Sequence, residues 1–357
     1  MSNRLWLRWL PAVAIPAVIA AGAIIIPMQA GAAVSLPAKS PTDVLALAAN
    51  SSVKTFSGTV EQTSNLGLPQ LPTGSLASNS STASALDLVT GSHSARVYAD
   101  GPTKLRVQVL DSLAERDAIR NGTDLWLYTS SNNTATHAVL PSKIDTTVPN
   151  AGSVLTPAQA AAQFLAKVDP STDVTLAKNA SVAGRNAYEL VLTPKTSATL
   201  VGSVSIAVDA ETGLPLKVEV DARGQKDPAF TVGFTSLSLD TPSADLFAFT
   251  PPAGATVKQQ SIPTNPATPE TGTSTHPKPT VTGTGWDAVV QLPAGSAPSS
   301  ITSNPLFAQL TTPVAGGRAL STSLVSVLLT DDGRIFAGAV PVSRLQAAAG
   351  PVTGTRR

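Results

Sequence analysis

Cysteine is absent from the 357 residues, which excludes a disulfide framework, a cysteine nucleophile, thiolate metal sites and a lipid-modified N-terminal cysteine. Histidine is scarce. His93, His137 and His276 stand far apart, and no HExxH, GxSxG, P-loop or dinucleotide fingerprint occurs. Charge is scarce too, at 13% of residues against about 25% in an ordinary domain. The 24 basic and 23 acidic side chains nearly cancel. No basic excess exists to release counterions from a polyanion, so no nucleic-acid partner is expected. Without a nucleophile–base pair, neither catalysis nor a cofactor is expected. What is present is apolar matter: 42% of the chain, enough for an ordinary globular core.

The N-terminus gives an address. Arg4 and Arg8 precede an uncharged apolar run over 10–26, followed by the small residues Ala30-Gly31-Ala32. That is the layout of a secretory signal peptide with an A-x-A cleavage site. The rival reading is an uncleaved anchor, for which 10–26 is slightly short and is interrupted by Pro11 and Pro16. In both readings the bulk of the chain lies outside the cytoplasm. Residues 1–33 are assigned to this segment.

Ser40-Pro41-Thr42-Asp43 predicts a helix start, with Ser as N-cap, Pro at the first position and an acid at the third. The helix should fade near Asn50-Ser51-Ser52, before a strand over 55–63. Residues 64–92 are rich in Gly, Ser and Pro and carry one charge, Asp87. They read as a loose loop insertion, with a lid formed by Leu66, Leu68, Leu71 and Leu76 as the alternative. His93, beside this insertion, reads as a surface residue.

From Ser94 onward the pattern alternates. Leu105, Val107 and Val109 point one way, Lys104, Arg106 and Gln108 the other. Similar runs recur at 113–120, 123–130, 135–140, 174–180, 187–193, 202–209, 216–221, 230–239 and 246–250, with hairpin turns at Asn121-Gly122 and Thr212-Gly213. This spacing predicts an all-antiparallel sheet or barrel. One helix interrupts it. Thr156-Pro157-Ala158-Gln159 repeats the capping signal, and Ala161, Phe164, Leu165 and Val168 form a single apolar stripe that must dock on the sheet or plug its concave side.

Residues 259–285 are assigned to a Thr/Pro-rich linker that cannot bury enough surface to order itself. Beyond it, 286–352 reads as a small hairpin unit: strands over 321–330 and 334–340, a turn at Asp331-Asp332-Gly333, and a closing helix over 342–349. A lone hairpin is marginal, so the unit should pack on the main domain or on another partner, through Trp286, Leu306 and Phe307.

Several segments resemble one family. Residues 52–62 resemble the first helix–strand junction of the periplasmic lipoprotein-carrier (LolA-like) proteins and the related envelope-stress regulators. Gly101-Pro102-Thr103-Lys104-Leu105-Arg106 resembles their second-to-third strand junction. Asn121-Gly122-Thr123-Asp124-Leu125-Trp126-Leu127-Tyr128 is similar to the family's "dGktLWfY" hairpin. Tyr188-Glu189-Leu190-Val191-Leu192-Thr193-Pro194-Lys195 is similar to its "f-x-L-x-P-K" strand, and residues 247–257 to its closing segment. The matches follow the family's order from about residue 40 to 258, and 34–258 is assigned to this half-barrel domain. Gly101 stands where the carriers place a basic latch residue, and the carriers lack the 64–92 insertion, the linker and the C-terminal unit.

The resemblance implies a mainly β (α+β) fold: a curved antiparallel half-barrel sheet with helices covering its concave face. It implies a cavity for lipid acyl chains or a lipoprotein, or, in the regulator branch, a membrane regulatory partner such as an anti-sigma factor. A monomer is expected. Alternate side chains facing inward nominate Phe56, Leu105, Val107, Val109, Trp126, Tyr128, Phe164, Tyr188, Leu190, Leu192, Val204, Ile206, Val208, Val218, Phe230, Val232 and Phe234 as the apolar lining. Trp126 and Tyr128 alternate with Leu125 and Leu127, so only one of these pairs can face the cavity.

Overall fold

Alternating β-branched and polar residues build a 13-stranded open sheet that carries most of the molecule. The computed structural model describes residues 35–68, 91–110, 115–140, 156–166, 168–260, 279–296 and 305–350, with backbone alone for 305–306. The N-terminal segment 1–33 and most of the 64–92 insertion lie outside the described residues. Residues Leu36–Arg357 cluster as one unit.

The first half of the sheet is a meander: β1 (Thr55–Ser64), β2 (His93–Asp100), β3 (Lys104–Leu110), β4 (Glu115–Asn121), β5 (Asp124–Thr129) and β6 (Thr134–Val139). The second half comprises β7 (Thr172–Leu176), β8 (Ala180–Val182), β9 (Arg185–Pro194), β10 (Val201–Asp209), β11 (Pro215–Ala222) and β12 (Phe230–Ser238). β12 pairs with β1 and joins the halves, and the order runs β13-β6-β5-β4-β3-β2-β1-β12-β11-β10-β9-β7, with β8 beside β9. The sheet is curved and does not close.

Helix α1 (Pro41–Ala49) and helix α2 (Pro157–Leu165) lie on the apolar face. Both begin as the sequence predicts. Ser40 and Asp43, and likewise Thr156 and Gln159, cap each other reciprocally. The Ser40 hydroxyl and backbone N–H hold the Asp43 carboxyl below its ordinary range. Val168 falls beyond the end of α2 but still packs against the core. The turn between β10 and β11 supports α1: Gly213 has φ +73°, and a Cβ there would stand 2.2 Å from the Leu47 carbonyl oxygen. Gly213→Ala is expected to lift α1 off the sheet and to cost about 2 kcal/mol or more, read by chemical denaturation.

Two expectations need correction. The run over 246–250 is not a strand; a 3-10 turn occupies Ala244–Phe247. Prolines at 242 and 251–252 bracket that stretch, and it crosses the outer face of the sheet, where Arg106 donates to the Leu246 carbonyl. The strand that follows, β13 (Thr256–Gln260), joins the edge parallel to β6, so the sheet is not purely antiparallel.

The C-terminal unit is larger than one hairpin. β14 (Thr280–Thr282), β15 (Val289–Leu292), β16 (Thr312–Val314), β17 (Gly317–Ser321), β18 (Ser326–Thr330) and β19 (Ile335–Gly338) form a second sheet, order β14-β15-β19-β18-β17-β16. A short helix α3 (Pro305–Leu310) precedes β16. The run over 321–330 breaks at residues 322–325, where Thr322 turns the chain by hydrogen-bonding Val325. Helix α4 (Val342–Ala349) covers one face through Leu345, over Val289, Ala319, Leu328 and Phe336. Within this core, the Ser326 hydroxyl is buried with no hydrogen-bond partner among the described residues. Ser326→Ala is therefore expected to leave stability unchanged or raise it by up to about 1 kcal/mol, a gain visible in a thermal melt.

Candidate functional site

Strand register assigns every inward residue. Val60 pairs with Ala95 and Phe234, Ala95 with Val109, Val97 with Val107, and Val107 with Ala118. Across the other half, Val218 pairs with Val232 and Ile206, Ile206 with Leu190, and Leu190 with Leu176. Paired residues share a face, so one apolar surface runs through nearly the whole sheet. The opposite face carries Glu61, Glu189, Lys217 and Glu219.

Of the nominated lining, Phe56, Leu105, Val107, Val109, Phe164, Tyr188, Leu190, Leu192, Val204, Ile206, Val208, Val218, Phe230, Val232 and Phe234 all join one hydrophobic cluster on this face. Trp126 and Tyr128 do not. They stand on the opposite face, where Phe249 packs on both rings at 5.3 and 5.7 Å and His137 stacks on Trp126 at 4.4 Å. Leu125 and Leu127 face inward instead, as their pairing with Ala118 and Arg120 requires.

The two halves of the surface differ. The β9–β12 half carries large side chains such as Leu190, Leu192, Ile206 and Phe234, and α1 and α2 pack on it. The β2–β6 half mixes small and large residues: Ala95, Val97, Ala99, Val107, Val109, Ala118 and Ala138 stand beside Leu105, Leu125 and Leu127.

Tyr188 is bound within the chain itself. Its hydroxyl donates to the Pro37 carbonyl at 2.9 Å, and the Lys39 ammonium lies 6.0 Å from its ring centroid. Polar residues also share the inward face. His93 is 7% exposed and pairs with Gln62; Arg116 and Arg120 pair with Val109 and Leu105. His93 is thus not a surface residue. Counting by twos from Ala95 places it inside, a signal that its neighbourhood to the insertion obscured.

Ion pairs stiffen the outer face and the turns. Asp117, buried, accepts from Arg106 Nη2 at 2.6 Å, and Arg106 Nη1 also donates to the Leu246 carbonyl at 3.3 Å, strapping the crossing segment to β3. Arg185 clamps Asp209 at the β10–β11 turn. Asp332 of the C-terminal turn accepts from Thr330 and Arg334 and is turn chemistry. Among the described residues, no cluster of His, Asp and Glu could hold a metal ion, and no helix is long and apolar enough to cross a membrane.

The large sheet is thus an open, curved half-barrel with one apolar face over which α1 and α2 lie. The chain belongs to the DUF2092 family, described as predicted periplasmic protein, whose model matches residues 76–258, just over half of its length. Among solved structures it is similar to the Pseudomonas aeruginosa MucA/MucB complex, at 17% identity over 87% of this chain and 96% of that one, TM-score 0.42. It is similar to a LolA superfamily protein from Nitrosomonas europaea, at 14% identity over 59% and 99%, TM-score 0.25. A putative outer membrane lipoprotein-sorting protein domain from Vibrio parahaemolyticus is similar at 12% identity over 58% and 95%, TM-score 0.24. No curated protein matches the chain. The fold rests on the strand order given above, these TM-scores being too low to add to it.

Proposed function

We propose that this is a non-catalytic extracytoplasmic binding protein that holds acyl chains, free or as part of a lipoprotein, on its concave apolar face. The observation that carries the reading is the single inward surface through Leu105, Val107, Val109, Ile206 and Val218. An acyl chain asks for little else: each methylene removed from water contributes about 0.8 kcal/mol, so micromolar binding takes more than about ten buried methylenes once the cost of association is met. The β2–β6 half, away from the β7–β12 strands on which α1 and α2 pack, is the end at which the chain enters. Export by the N-terminal segment agrees with the family's periplasmic description. Displacement of a fluorescent apolar probe by palmitate tests this reading. Saturable displacement supports it, and a protein that binds neither probe nor palmitate rejects it.

A second reading, an envelope sensor with a membrane partner, is favoured by the outer face of the small sheet. There Val281 and Val290 pair across β14 and β15 and are 61% and 38% exposed. Ala337 and Val327 continue the row. A Val290→Asp variant separates the readings. A changed envelope-stress response in cells, with palmitate binding intact, favours the sensor, and an unchanged response favours the carrier.

A further inference from the structure

We propose that Trp286 of the small sheet pins α2 in place as an internal plug of the hollow, so that an acyl chain entering beneath α2 must release the anchor of the second sheet. This inference rests on the acyl-chain reading above and adds to it a determinant of chain length and a route for its regulation.

Trp286 sits in the turn before β15, yet its side chain is 4% exposed within the core of the large sheet, not within the core that α4 closes. Its ring lies nearly parallel to Phe164 of α2, at 13° with centroids 6.4 Å apart. Its indole N–H donates to the Thr172 hydroxyl of β7 at 2.8 Å. Phe164 is thereby flanked by an indole that belongs to the other sheet.

The turn is shaped for this seat. Gly285 has φ +61°, and a Cβ there would stand 2.8 Å from the Ser171 hydroxyl, so any other residue strains the turn and displaces the Ser171 side chain against it. A separate tie lies at the end of β19, where the Ala339 carbonyl accepts from the Leu200 N–H at 2.8 Å and the Thr199 hydroxyl at 2.7 Å. A further tie is Ser323, whose backbone N–H and hydroxyl donate to the Leu66 and Asn65 carbonyls at 2.9 and 3.2 Å; of these ties, the Trp286 one packs on a helix that lies over the apolar face.

The consequence is linkage. Helix α2 has nine residues and packs on β11 and β12, so the β11–β12 part of the apolar face is open to a guest only when α2 moves. Moving α2 withdraws Phe164 from Trp286. A ligand that needs this displacement weakens docking of the small sheet, and whatever loosens the small sheet strengthens binding of that ligand by the same factor. Short chains fit without the displacement, so the coupling discriminates by length.

The test uses the full chain labelled with 5-fluorotryptophan, with the Trp286 resonance assigned by its loss in Trp286→Phe, and titrates laurate and stearate. Stearate is expected to shift the Trp286 resonance toward that of solvent-exposed indole, and laurate to leave it in place. Gly285→Ala and Trp286→Ala are each expected to raise stearate affinity about fivefold or more relative to laurate, and Trp286→Phe, which keeps the ring pair but loses the hydrogen bond to Thr172, to raise it less than Trp286→Ala does. Gly285→Ala and the unaltered labelled chain keep the test decisive if Trp286→Ala fails to fold. Stearate binding with an unmoved Trp286 resonance and an unchanged length ratio overturns the coupling and leaves the acyl-chain reading standing. Failure of the wild-type chain to bind either fatty acid overturns both.

Discussion

Replacing Asp209 with alanine is expected to destabilise the protein by about 3–5 kcal/mol, measured by urea denaturation. The Asp209 side chain is 1% exposed at the end of β10. It accepts from Arg185, from the backbone N–H groups of Glu211 and Thr212, and from the Thr212 hydroxyl. Alanine would leave the Arg185 guanidinium without its buried partner and the β10–β11 turn without its cap. That turn carries Gly213, on which α1 rests, so the loss reaches the concave face. The exposed Arg185–Glu211 contact cannot compensate, since surface pairs contribute about 0–1 kcal/mol.

The same group sets a pH dependence. Burial by itself would raise the Asp209 carboxyl, but the hydrogen bonds from Arg185 and Thr212 together outweigh it and hold the group below its ordinary value. A carboxyl lowered in the folded state adds stability above its unfolded pKa of about 4, and this is lost as pH falls through the folded value. Wild-type stability should therefore drop more steeply below about pH 4 than that of Asp209→Asn, with the two curves parallel at neutral pH.

Leu105→Asp is expected to lower palmitate affinity about 100-fold or more with the fold retained. Leu105 lies on the inward face of β3, packs only partly buried against the core, and pairs with Ala99 and Arg120. A carboxylate there must either be buried against hydrocarbon, at a cost of several kcal/mol, or keep the acyl chain away. Its position near the rim lets the unliganded protein solvate the new charge. Tyr128→Ala on the outer face removes a comparable contact area near Phe249 and is expected to leave palmitate affinity unchanged. Equal effects of the two substitutions would remove the distinction between faces on which the site depends.

Much of this surface was legible in the residues. The alternation at Leu105, Val107 and Val109 set one face, and the capping signals at Ser40 and Thr156 placed the starts of both helices to the residue. Turn chemistry at Asn121-Gly122 and Thr212-Gly213 placed two hairpins. What escaped depends on partners distant in sequence. Trp126 and Leu125 alternate equally well in either direction, and only pairing with Arg120 and Ala138 decides which points inward. The segment 246–250 reads as a strand by composition, but its flanking prolines and its hydrogen bond to Arg106 make it a strap. β13 resembles linker because its five residues are all exposed, and it is held by parallel pairing to β6. The small strands β14 to β16 have three or four residues each, too few for a period to show.

The central claim is that the concave face holds an acyl chain. Native mass spectrometry of the protein purified from the cell envelope, followed by solvent extraction of the same sample, tests it most directly. The account predicts a population heavier than the bare polypeptide by the mass of an acyl-bearing molecule, which appears in the organic extract and is missing from Leu105→Asp. A spectrum of bare polypeptide alone, unchanged after incubation with excess palmitate, would contradict it.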